Sequence, residues 1–203
     1  MTSRAAHALL VAAVLTFGSF WSPAPVQASA ILTLTEVGGD VLLEGSGSID
    51  LDDLSDGSIV QANGGMQPSA GLIYGGPAGF IDVDSYTGLS GPTTFGGGGA
   101  AFADSGTGSR IGLNASFSVL IVPEGYVSGS ALLGTSLYTD ETFATLGVTP
   151  GTYVWTWGSG EDADSLTLQI GPADTAVPEP TSMLLLGTGL VGLGARRWRQ
   201  RKQ

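Results

Sequence analysis

Period-two alternation in three separate segments restricts this chain to β structure more than any other feature. Residues 31–37 (Ile-Leu-Thr-Leu-Thr-Glu-Val), 152–157 (Thr-Tyr-Val-Trp-Thr-Trp) and 165–170 (Ser-Leu-Thr-Leu-Gln-Ile) switch between apolar and polar side chains. Successive side chains of a strand point to opposite faces, so such runs describe half-buried strands. Gly38-Gly39 separates the first run from Asp40–Glu44 and predicts a hairpin closed by two glycines. Ser48–Leu51 extends the second arm past a bulge at Gly45 or Gly47. Residues 71–74, 80–83, 116–122 and 130–133 read as further short strands, with 116–122 a continuously buried run ended by Pro123. Gly75-Gly76-Pro77, Gly91-Pro92 and Thr149-Pro150-Gly151 are turn signals, and 158–164 is the loop of a last hairpin. Short strands at this spacing predict an all-β fold, a single β-sandwich or jelly-roll-like domain. The run Gly96–Gly99 leaves two readings open, a flexible loop or close approach to another backbone. It is not a phosphate-binding loop, because no Gly-Lys-Ser/Thr follows it.

Both ends stand apart from this pattern. Arg4, the apolar stretch Ala8–Phe20, the breaks at Pro23 and Pro25, and Ala28-Ser29-Ala30 match a secretory signal peptide over residues 1–30. Cleavage after Ala28 and cleavage after Ala30 fit equally well. At the other end, Val177-Pro-Glu-Pro-Thr181 leads into an apolar run, Met183–Ala195, and then Arg196-Arg-Trp-Arg-Gln-Arg-Lys202. The run is short beside the roughly 20 residues a span needs. Thr181, Ser182 and snorkelling arginines bring it closer to bilayer length, and the basic stop places the C-terminus on the cytoplasmic side. The expected organisation is a signal-peptide helix (1–30), a body (31–176) and a tail with a short transmembrane helix (177–203). Gly187-Thr-Gly189-Leu-Val-Gly192 matches G-x-G-x-x-G. It lacks the preceding strand and the acidic residue downstream that a dinucleotide site requires.

The Val177-Pro178-Glu179-Pro180-Thr181 motif, the apolar stretch and Arg196-Arg197 resemble the PEP-CTERM sorting signal of Gram-negative bacteria. The resemblance implies that Val177, Pro178, Glu179, Pro180, Arg196 and Arg197 are sorting residues, not catalytic ones. It further implies processing by exosortase, an integral-membrane cysteine protease, and an association with exopolysaccharide and biofilm production. The expected location is an inner-membrane-tethered precursor, then the cell surface or extracellular matrix. Residues 146–158 and 164–170 also resemble the body domain of a subset of these proteins, which implies no activity.

Seventeen of the 18 acidic residues lie in 31–176, but only Arg110 of the seven basic ones does, leaving the body near −16. That charge excludes nucleic acid, whose affinity rests on Lys and Arg neutralising phosphates, and disfavours anionic lipid. The body contains no His, Cys or Lys. Ser-His-Asp, Cys-His, Ser-Lys and Schiff-base chemistry are therefore impossible, as are histidine-bearing zinc sites. Carboxylate pairs and oxygen-ligated metals remain. Glu36, Glu44, Glu124, Glu141 and Glu161 could serve a glycosidase, but nothing in their spacing pairs them.

Three constellations stand out. Asp50, Asp52, Asp53 and Asp56 could ligate calcium, although the EF-hand pattern fails at Leu54 and Asn63; the plainer reading is a solvated acidic turn. Glu161, Asp162 and Asp164 could hold a cation within one loop, or merely keep the sheet end soluble. Tyr153, Trp155 and Trp157 share one face of a strand, as a sugar-stacking platform if exposed or as core if buried. No resident cofactor is expected beyond possible calcium. The expected function is an exported, non-enzymatic matrix or cell-surface protein. A carbohydrate- or calcium-binding module is the alternative, and a carboxylate glycosidase the third reading.

Overall fold

The structure is a computed structural model in which residues 29–171 are described. The expected signal peptide, save its last two residues, and the whole sorting tail lie outside those residues. Among the described residues, no helix is long and apolar enough to cross a membrane.

The body is all-β, as the alternation predicts. Its strands are β1 Ser29–Val37, β2 Asp40–Gly47, β3 Ser55–Asn63, β4 Gly65–Gln67, β5 Leu72–Gly75, β6 Phe80–Thr87, β7 Ala101–Phe102, β8 Ser105–Gly108, β9 Ile111–Asn114, β10 Val119–Pro123, β11 Leu132–Tyr138, β12 Gly151–Trp157 and β13 Asp164–Ile170. They form two sheets, ordered β12-β13-β1-β2-β11-β8 and β3-β6-β10-β9-β5-β4-β7. Leu32, Leu34, Val41, Leu43, Leu166 and Leu168 of the first sheet share one buried cluster with Met66, Ile73, Ile111, Leu113, Leu120 and Val122 of the second. Each such side chain contributes about 1.5–3 kcal/mol by leaving water.

The predicted first hairpin is present. Gly38 (φ 66°) and Gly39 (φ 105°) both take left-handed backbone, the geometry that matches the twist of paired strands. The second arm departs from expectation. The β1–β2 register runs unbroken from Val37↔Asp40 to Ala30↔Gly47, so neither glycine forms a bulge. Ser48–Leu51 leaves the ladder and does not extend it. Gly47 turns the chain at φ 119°, which directs Ile49 into the core. Residues 115–117 are a 3-10 turn, and Ser118 at φ 54° delays the strand expected from 116 until Val119.

The second sheet carries core on both faces. Leu120 and Val122 point into the main cluster, whereas Ile121 joins Ala62 and Val83 in a smaller one. A continuous apolar run suits a strand buried on both sides. Only Gly64 separates β3, paired with β6, from β4, paired with β5. β3 ends the strand order on one side and β4 stands next to last on the other, so one residue joins opposite ends of the sheet and the sheet must curl.

Arg110 sits at that join. It is 1% exposed, and its Nη1 donates to Gly75 O at 3.1 Å, while Nη2 donates to Gly79 O at 2.9 Å and to Pro77 O. A Cβ on Gly64 would stand 2.5 Å from Arg110 Nη1. The only basic side chain of the body therefore staples backbone and never meets solvent.

The glycine run is a close approach. A Cβ on Gly96 would lie 2.1 Å from Gly147 O and one on Gly98 1.9 Å from Leu146 O, but Gly97 and Gly99 face open space. The approached backbone is the end of α1 (Phe143–Leu146), a single turn capped by Thr142 and Thr145 and stopped by Gly147 at φ 64°.

Candidate functional site

The two acidic segments singled out in the sequence meet at one end of the first sheet. Trp157 Nε1 donates to Asp50 O at 2.8 Å, tying the loop after β2 to the end of β12. Asp50 N donates to Asp164 Oδ2 at 2.6 Å, and Ser165 N to Asp164 Oδ1 at 2.6 Å. Ser128 Oγ donates to Asp50 Oδ1 at 2.7 Å and accepts from Leu51 N at 2.9 Å. Tyr126 OH accepts from Ile49 N and donates to Ser130 O. The loop is thus built from three distant parts of the chain.

One carboxylate oxygen each of Asp50, Asp52 and Asp162 lies within 4.8 Å of the others. Asp53, Asp56 and Glu161 are not part of this trio. Asp53 holds a left-handed turn at φ 64°, and Asp56 belongs to β3 beside Tyr86. Asp164 is buried and spends its oxygens on backbone N–H groups. The Asp52 N–H and the Ser128 hydroxyl hold the Asp50 carboxyl below its usual range. Burial pushes the Asp164 carboxyl up, and the Asp50 charge adds to that against the two N–H bonds. Three converging carboxylate oxygens can offer hard-cation ligands.

The aromatic face is core. Trp155 is 1% exposed and Trp157 4%, and Trp155 Nε1 donates to Pro92 O at 2.7 Å. Tyr153 stacks on Trp155, with centroids 6.5 Å apart and planes at 23°, and its hydroxyl donates to Thr149 O at 3.0 Å. With both indoles buried and Tyr153 half-buried, the three rings form no exposed sugar platform. Period two placed them on one face, and that face is the inward one.

An exposed aromatic surface exists elsewhere. A groove of about 310 Å³ runs beside Gln61, Asn63, Gln67, Tyr74, Phe80 and Phe102. Phe80 is 67% exposed and Phe102 63%. Asn63 Oδ1 is buried and has no hydrogen-bond partner. These lining side chains carry no formal charge. Sequence reasoning missed this surface because Phe80 and Phe102 are single phenylalanines among glycine and alanine, without period.

Outside the described residues, positions 176–200 match the family described as the PEP-CTERM protein-sorting motif. The chain carries a PEP-CTERM sorting tail. All the expected sorting residues, Val177 to Pro180 and Arg196-Arg197, fall within the match. A PEP-CTERM motif implies an exported precursor, anchored in the membrane and processed by exosortase, a membrane enzyme. The PEP-CTERM match begins six residues after β13 ends at Ile170. No curated protein and no solved structure matches the chain.

Proposed function

We propose that this is a non-enzymatic protein of the cell surface or extracellular matrix, delivered by its PEP-CTERM tail and acting through a β-sandwich interaction module. The tail match at 176–200 carries the reading. The lack of His, Cys and Lys in 31–176 supports a non-enzymatic role. The exposed groove between Phe80 and Phe102 supports an interaction role, since contiguous apolar surface marks binding faces. An uncharged, aromatic and amide-lined groove on a strongly acidic body suits a neutral stretch of polysaccharide, with rings stacking on sugar faces and amides bonding hydroxyls. Fractionation of cells producing the full chain, or a chain ending at Ala195, tests the reading. The full chain reaches the matrix in processed form, while the truncated one accumulates as unprocessed precursor. Equal processing and sorting of both would overturn it.

A second reading is favoured by the convergence of Asp50, Asp52 and Asp162: calcium binding of the weak kind common in extracellular modules, with Kd of about 10⁻⁴–10⁻³ M. Ten millimolar calcium then raises Tm through mass action, and Asp52→Asn abolishes the rise. A flat calorimetric titration together with an unchanged melting curve removes this reading.

A further inference from the structure

The two small-residue points for leader cleavage, after Ala28 and after Ala30, are equivalent in sequence but not in the fold. Ser29 is the first residue of β1 and pairs with Ser165 across the parallel β1–β13 ladder. Ala30 is 1% exposed, belongs to the main core, and lies between Leu166 on one side and Gly47 on the other. Ser48 N donates to Ser29 O at 3.3 Å. Gly47 is shaped around the same two residues. A Cβ there would stand 2.2 Å from Ser29 O and 2.9 Å from Ala30 Cα, and its φ of 119° lies in the glycine region. Cleavage after Ala30 would delete the strand end that Gly47 is shaped to receive and would uncover core at Leu166.

We propose that maturation of this chain cuts the Ala28–Ser29 bond, so that the exported body begins at Ser29. The step is hydrolysis by a membrane signal peptidase. Water adds across the amide, leaving a carboxylate on Ala28 and an amine on Ser29, which is protonated at neutral pH because α-amino groups titrate near about 7.7–8.0. The cut also creates a charge the body otherwise lacks. Arg110 is buried against carbonyls, so the Ser29 ammonium becomes the one solvent-accessible cation of residues 29–171. It opens onto a pocket lined by Trp157, Gly158, Asp164 and Ser165, at the acidic end of the sheet. The proposal rests on the exported reading of the chain.

Labelling the amines of the exported protein before digestion, then sequencing the labelled peptides, tests it. The body has no lysine, so its label reports the N-terminus alone. The expected labelled peptide starts Ser29-Ala30-Ile31. A start at Ile31 overturns the inference while leaving export intact. A chain that keeps residues 1–28 and stays inside the cell overturns both. A variant changes a residue that the cut removes: Val26→Phe, three residues before the proposed bond, puts a bulky side chain where signal peptidase requires a small one. The Ser29 start is then lost, replaced by accumulated precursor or by cleavage at the remaining small-residue point, after Ala30. An Ile31 start at the same rate in parent and variant alike overturns the proposal.

Discussion

Trp155→Ala lowers the unfolding free energy by about 4 kcal/mol, the loss typical of a large aromatic removed from a core. The indole is 1% exposed and touches material from two directions. Tyr153 stacks on it, and the segment before β7 runs across it so closely that a Cβ on Gly91 would stand 2.5 Å from Trp155 Cδ1. Its Nε1 hydrogen bond to Pro92 O is lost as well, leaving that carbonyl without its partner. Trp155→Phe separates the contributions: most of the burial stays, the hydrogen bond goes, and the cost falls to about 1–2 kcal/mol. Urea unfolding followed by tryptophan fluorescence and circular dichroism measures both, with the midpoint shift read at constant slope. A Trp155→Ala cost below about 1 kcal/mol would mean that the ring is a surface feature after all.

Alanine at Gly98 costs about 2–3 kcal/mol, and alanine at the adjacent Gly97 costs nothing. The contrast is set by backbone, which cannot swing aside as a side chain can. At Gly98 the new methyl would sit 1.9 Å from Leu146 O, and Gly147 in turn would meet Gly98 Cα at 2.5 Å if it carried a Cβ. Gly97 and Gly98 both donate to Gly147 O, at 2.9 and 3.1 Å, so separating the two segments to admit a methyl also stretches these bonds. A methyl at Gly97 or Gly99 would find no neighbour within 4 Å, and neither residue has left-handed backbone. Alanine there restricts the unfolded chain and is neutral or stabilising by up to about 1 kcal/mol. Thermal melting of the four single variants, Gly96 to Gly99, gives an alternating pattern of low and parental Tm. Four equal values would contradict the close approach.

What could be read from the residues followed their local signal. β13 alternates strictly and β1 and β12 over most of their length, and all three appear within two residues of where the pattern puts them. The Gly38-Gly39 turn was legible because a two-residue hairpin demands left-handed backbone. β3 was not legible. Most of its side chains are exposed, its Ser-Asp-Gly-Ser start has no period, and it is a strand because β6 pairs with it. The Trp155–Trp157 face was legible as a face, but its direction depends on where the second sheet lies. Both acidic segments were visible, yet their meeting rests on Asp50–Trp157 and Asp50–Asp164 bonds between residues more than 100 positions apart. No local pattern encodes such a contact. The burial of Arg110 was invisible for the same reason, since its partners are carbonyls, which every residue has.

The parallel pairing of β1 with β13 decides how the body bears load. The sorting tail leaves the body just beyond β13, a strand interior to its sheet, with β12 on one side and β1 on the other. Tension between a tail held at the membrane and a body held elsewhere runs along β13. The rungs from Gly151↔Ile170 to Trp157↔Asp164, and from Ser29↔Ser165 to Leu34↔Ile170, then resist together in shear. An edge strand pulled the same way would be held by one ladder instead of two.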